Sequence, residues 1–216
     1  MAAWQAHRMD TTAGVDQGPP SPLLRLTQEI SGGDVEATRE VTAWLRNANE
    51  DQDKYARAAG LAECLEKTGH VAYVDWKQES DDTLQSLDRV SRGRLSESSL
   101  YLPLLERFQQ ESLGIAAYID HPLPDPQLLE LAKAAGFHLE GIDEGSDAYA
   151  FVLISTERRD RVYQLADEAG IPFYFRRRRK QVADEESATG KLRAGIKTID
   201  AKLSSLIRYL RGDIDY

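Results

Sequence analysis

The chain has 216 residues, 27 Lys+Arg against 36 Asp+Glu, a net charge of −9, and 41% hydrophobic residues. That is the composition of a globular domain with appendages, long enough for a real core, and no run approaches the roughly 20 apolar residues of a membrane span. Cys64 is the single cysteine, which excludes an internal disulfide and any multi-cysteine zinc or iron–sulfur centre and fits a reducing cytoplasm, the expected location.

The first 22 residues lack an apolar h-region, so no secretory signal is expected, and residues 1–20 read as a disordered tail rich in Thr, Gly and Pro. From Pro22 the pattern turns helical, with Leu23, Leu24, Leu26 and Ile30 on one face and a stop at Ser31-Gly32-Gly33. Asp34 is placed to cap a second helix, whose expected inner face holds Val35, Thr38, Val41, Trp44 and Leu45. Asp51 or Asp53 starts a third, which stops at Gly69. The first strand, 71–74, is closed by Asp75-Trp76. A helix from Asp81 or Asp82 runs through Leu84, Leu87 and Val90 to Gly93, and another spans about 98–112, with Pro103 marking a kink or a late start.

The second strand is expected at 115–119, closed by Asp120. Asp125-Pro126 then opens a helix that stops at Gly136. Segments 137–142 and 148–154 read as strands joined by Asp143-Glu144-Gly145-Ser146-Asp147, a five-residue connection that favours an antiparallel hairpin. A helix over 156–169 stops at Gly170, and 171–175 adds an edge strand. Helix–Gly–strand units recur, two of them ending Ala72-Tyr73-Val74-Asp75 and Ala117-Tyr118-Ile119-Asp120. Helices covering a sheet explain this better than a solenoid does. The fold expected over 21–175 is therefore α/β (α+β), with a mixed sheet of four to five strands covered by helices.

A basic and polar linker follows at 176–190, and then an amphipathic, coiled-coil-like helix at 191–211. Its apolar residues Leu192, Ile196, Ile199, Leu203, Leu206 and Leu210 are spaced 4, 3, 4, 3 and 4 apart. Three heptads are marginal alone, so this helix needs a partner. Pairing with a second copy, as a homodimer, and docking on its own domain both remain open. The run Arg176-Arg177-Arg178-Arg179-Lys180 is suited to nucleic acid or anionic lipid, and equally to steering the tail onto the chain's own carboxylates; the second reading is preferred.

Charge is unevenly spread. Residues 1–173 hold 16 Lys+Arg and 30 Asp+Glu, a net −14, whereas residues 174–216 hold 11 and 6, a net +5. A body of that sign repels phosphate backbones, making nucleic acid an unexpected ligand for the main domain, and attracts basic proteins. The catalytic inventory is thin. His7, His70, His121 and His138 sit in four separate segments, and neither a nucleophile elbow nor a phosphate loop is present. Cys64 lies beside Leu61 and Leu65 and reads as a buried, inert thiol.

The carboxylates Asp75, Asp120, Asp143 and Asp147 end strands or flank a turn, where paired carboxylates suit a hard divalent cation. Asp is also a common turn former, because its side chain bonds nearby backbone amides, and for these residues turn chemistry is the stronger reading. No residues are therefore assigned to a metal or cofactor. Trp76, Tyr73 and Tyr118 suit interface anchoring if exposed, although strand aromatics more often fill core.

Two stretches carry a resemblance. The run Leu61-Ala62, then Gly69-His70-Val71-Ala72-Tyr73-Val74-Asp75-Trp76-Lys77, is similar to one signature of an uncharacterised bacterial domain-of-unknown-function family. Leu128-Leu129-Glu130-Leu131-Ala132 through Gly136-Phe137, followed by Ile142-Asp143-Glu144-Gly145-Ser146-Asp147-Ala148-Tyr149, resembles its second signature, a strand entering an Asp-x-Gly-Ser-Asp-x-Tyr hairpin. The likeness covers about 23–173 and implies a bacterial cytoplasmic α/β domain without assigned catalytic residues. The function expected is a non-catalytic, acidic protein-binding module, of an immunity type that neutralises a basic toxin, with Asp75, Trp76, Asp120, Asp143, Ser146, Asp147 and Tyr149 as binding residues. The alternative is a metal-assisted hydrolase built on the four aspartates.

Overall fold

The computed structural model describes residues 20–48, 52–75, 77–111, 125–176 and 179–180. Three helices open the described chain, and each starts where a side chain takes up orphan backbone amides. Ser21 accepts from Leu24 N at 3.3 Å to begin α1 (Pro22–Ser31), with Pro22 in the first turn. Asp34 accepts from Glu36 N and Ala37 N to begin α2 (Val35–Asn47), and Asp53 accepts from Tyr55 N and Ala56 N to begin α3 (Lys54–Lys67). Gly32 ends α1 at φ +70°, a conformation that costs an L side chain strain.

The inner face of α2 holds Val41, Trp44 and Leu45 as expected, whereas Val35 is 81% exposed and Ala37 is buried. The helix packs closely against α3: a Cβ at Gly60 would fall 2.2 Å from the Trp44 ring. Mid-helix Gly60 therefore makes room for an indole, at the expense of helix propensity.

After β1 (Ala72–Asp75) come α4 (Ser80–Val90), α5 (Tyr101–Glu111) and α6 (Pro126–Ala134), the last capped by Asp125. Pro103 stands in the first turn of α5, so the helix starts late and does not kink. The strands β2 (Phe137–Ile142) and β3 (Ala148–Ser155) form the expected antiparallel hairpin. A 3₁₀ turn (Thr156–Arg158) leads into α7 (Arg159–Ala169).

The architecture is α+β. Among the described residues the sheet has three strands in the order β1-β3-β2, all antiparallel, where a mixed sheet of four to five was expected. Of the two missing strands, 115–119 lies outside the described residues. The other, 171–175, makes a single bridge between Phe173 and Ile142 and then turns helical at 174–176. Pro172 has no N–H to lend a ladder, and Glu140 captures the Phe175 and Arg176 amides at 2.8 and 3.1 Å. The expected helix at 191–211, with its seam from Leu192 to Leu210, also lies outside the described residues.

The central strand explains the layering. Ala150, Val152 and Ile154 point into a core shared with α1, α2, α3 and α7, while Phe151 and Leu153 point into a second core shared with α4, α5 and α6. Alternation along β3 thus buries both faces, and two helical layers sandwich the sheet. Cys64 is buried in the first core, where burial pushes its thiol pKa up, as a structural cysteine requires. None of the helices in the described residues is long and apolar enough to cross a membrane.

Candidate functional site

Antiparallel register decides which carboxylates meet. Asp75 pairs with Ala148 and Val74 with Tyr149, so the end of β1 lies beside the 143–147 turn. Asp75, Asp143, Ser146 and Asp147 therefore share one end of the sheet. The first turn of α4, with Asp81 and Asp82, follows β1 closely and joins them there. Trp76 and Asp120 lie outside the described residues.

Local hydrogen bonds account for much of this arrangement. Asp75 Oδ1 accepts from Lys77 N at 2.8 Å, and Gln78 N donates to the Asp75 carbonyl at 2.9 Å, forming a tight turn into α4. Asp143 Oδ1 accepts from Gly145 N at 3.3 Å in the same manner. Ser146 Oγ donates to Glu144 Oε1 at 2.7 Å and accepts from Ala148 N at 3.1 Å. The other Glu144 oxygen accepts the Tyr73 hydroxyl. Burial, followed by this carboxylate, pushes the Tyr73 pKa well up, so the phenol remains a donor. At φ +72°, Gly145 lies so near Tyr55 that a Cβ there would stand 3.3 Å from its ring.

Tyr149 has another role. It stacks on Phe151 at 5.6 Å and meets Tyr174 edge-on at 6.2 Å, half-buried against the second core. Asp147 is exposed. Among the described residues, no group of three or more His, Cys, Asp or Glu is arranged to hold a metal ion. The aspartates share an end of the sheet, and turn formation accounts for Asp75 and Asp143.

Glu144 belongs to this end and is absent from the binding residues read out of the sequence, and Tyr73, read there as an interface anchor or a core aromatic, is the residue that holds it. The signal for Glu144 was its place inside the Asp-x-Gly-Ser-Asp turn. Its tyrosine partner is 71 residues away, beyond any local spacing.

A second polar cluster lies on β2, facing α7. Glu140 is fully buried. Its Oε1 accepts from the Phe175 and Arg176 amides, and its Oε2 accepts from the Tyr163 hydroxyl at 2.7 Å and from Arg179. The Tyr163 hydroxyl also stands 2.7 Å from His138 Nε2. Burial alone would raise the Glu140 pKa. The His138 ring 3.8 Å away, the Arg179 charge and the hydrogen bond from Tyr163 outweigh it, holding the carboxyl below its ordinary range. Tyr163 is pushed up, by burial first and then by Glu140.

Arg176 reaches Asp167 through two parallel hydrogen bonds of 2.8 and 2.9 Å and lies over the Tyr163 ring at 4.7 Å. Two arginines of the basic run are thus fastened to the domain's own carboxylates. Both Glu140 oxygens are engaged by protein donors, so this cluster anchors the chain after Phe173 to the sheet edge.

Comparison with known proteins supplies the relation. The family described as Domain of unknown function (DUF6630) matches residues 22–176, from the start of α1 to Arg176. The chain belongs to the DUF6630 family. The family match takes in both the 143–147 turn and Glu140, Tyr163 and Arg176, and stops short of Arg179. Its description assigns no activity, so no residue role passes to this chain from it. No curated protein and no solved structure matches the chain.

Proposed function

We propose that this DUF6630 protein is a non-catalytic, acidic protein-binding module that presents the carboxylate end of its sheet to a basic partner. On this reading it is an immunity-type protein that neutralises a basic toxin in a bacterial cytoplasm. One observation carries the proposal: Asp75, Asp81, Asp82, Asp143, Glu144 and Asp147 gather at a single end of the fold. Carboxylates grouped on a rigid scaffold steer a cationic partner and fix its register. Ser146 and Tyr73 hold Glu144 in place, so its charge is presented without the entropy loss of ordering a free side chain.

The test is capture of partners from a lysate by the full chain, at low and at high salt, with Asp147→Lys and the double variant Asp75→Lys/Asp147→Lys beside the parent. Both aspartates are exposed, so the fold should survive. The reading expects a basic partner whose recovery falls with added salt and is lost in the double variant. Recovery that is indifferent to both would contradict it.

A further inference from the structure

At the opposite end of the sheet lies a cleft of about 450 Å³, walled by the ends of α1 and α4, the start of β2 and the turn after β3. That volume suits a small molecule. The cleft opens where the two cores meet, with Ile30 from one side and Phe137 and Leu153 from the other. Arg92, Arg94 and Arg158 line it, on a body whose charge is otherwise negative. Glu29 and Glu157 offset them in part, and the nearest approach of Arg158 to Glu29 is a loose 4.0 Å.

Local contacts hold one of these arginines firmly and leave the other two with loose ion pairs. Arg94 donates to the Ala135 carbonyl at 2.7 Å and lies over the Phe137 ring at 4.5 Å, so its guanidinium is held against the cleft wall by ordinary packing. Arg92 adopts φ +58°, the only positive φ of a non-glycine among the described residues, just past α4, where glycine would be strain-free. Its side chain is 74% exposed and 3.6 Å from Asp34, too weak a contact to repay that strain. Arg158 ends the 3₁₀ turn that runs directly into α7, and its guanidinium reaches Glu29 only at 4.0 Å, too loose to fix it. Two arginines with only loose ion pairs, one of them at a strained backbone position, thus converge on one cavity, the pattern expected where a site is kept at the expense of local preference.

We propose that this cleft binds a small phosphomonoester, its phosphate held by Arg92, Arg94 and Arg158 and its organic part laid against Phe137. Guanidiniums match phosphate oxygens with paired, charge-assisted hydrogen bonds, and three of them suit a dianion better than a single carboxylate. His70, 10% exposed, also lines the cleft, with its Nε2 engaged by Asp34 at 3.0 Å. The site is independent of the carboxylate end, so its failure would leave the proposed partner binding untouched.

The experiment is calorimetric titration of the full chain with inorganic phosphate, acetate and phenyl phosphate at equal ionic strength, for the parent, Arg92→Gly and Arg158→Gln. The expected result is saturable phosphate binding, tighter phenyl phosphate binding, and no saturation with acetate. Each variant should weaken phosphate by about tenfold, the loss of one charge-assisted contact. Arg92→Gly should melt no lower than the parent, which separates loss of binding from loss of fold. Absence of saturation, acetate binding equal to phosphate, phenyl phosphate binding no tighter than phosphate, or unchanged affinity in both variants would each overturn the proposal.

Discussion

At one end of the sheet Asp75 and Asp143 accept amides of their own turns, and Asp81 and Asp82 occupy the first turn of α4, where a helix favours negative charge. At the other end Arg92 sits at a left-handed backbone position unfavourable for its side chain, and Arg158 closes the 3₁₀ turn before α7 with only a loose ion pair. Charge at the first end is what the local backbone wants; at the second, Arg92 is held against it. A count of charges cannot separate the two situations. The locally costly Arg92 therefore carries more information about a ligand than the locally comfortable aspartates, and at the carboxylate end the informative groups are those with no turn duty, above all Asp147.

The comparison assumes a rigid sheet between the two ends, and the largest predicted effect breaks that frame. Glu140→Ala leaves Arg179 unpaired and the Phe175 and Arg176 amides without an acceptor. The expected cost is about 3–5 kcal/mol, read as a lower urea midpoint. The same group sets an acid limit. Its folded pKa lies below the ordinary 4.5, so its contribution is complete above that value and is lost as pH falls through the folded one. Urea unfolding followed from neutral pH downward should show stability falling in that window, and Glu140→Gln should flatten the fall.

Gly60→Ala tests the first core. Helix propensity alone predicts a gain of roughly 0.8–1.0 kcal/mol. The 2.2 Å approach of a new Cβ to Trp44 predicts instead a net loss of about 1 kcal/mol, because overpacking costs roughly 1–3 kcal/mol. Thermal unfolding gives the sign.

How much of this could be read in the sequence divides along similar lines. The caps Asp34, Asp53 and Asp125, the glycine stops and the hairpin were legible, because each is decided within about four residues. The inner face of α2 was legible at Val41, Trp44 and Leu45 and not at Val35, which fits the apolar stripe yet stands exposed in the first turn. Nor was the Glu140 cluster legible, since Tyr163 and Arg179 lie 23 and 39 residues away and no spacing connects them. The shared end of Asp75 and the 143–147 turn followed only once the β1–β3 register was known, and the arginine cleft draws on five separate segments.

Two smaller effects sharpen the contrast between the ends. Arg92→Gly should raise stability by up to about 1 kcal/mol, since glycine tolerates the left-handed position and an exposed ion pair is worth little. Asp147→Lys should alter stability by no more than about 0.5 kcal/mol while weakening capture of a basic partner. If Arg92→Gly destabilises the fold, the argument from local cost fails at that residue.

The central claim, that the carboxylate end meets the partner, is tested most directly by hydrogen–deuterium exchange of the full chain with and without its captured partner. The account predicts new protection over 72–82 and 143–149 and no change over 91–94 and 156–159. Protection confined to the arginine end, or spread elsewhere with 143–149 unchanged, would contradict it.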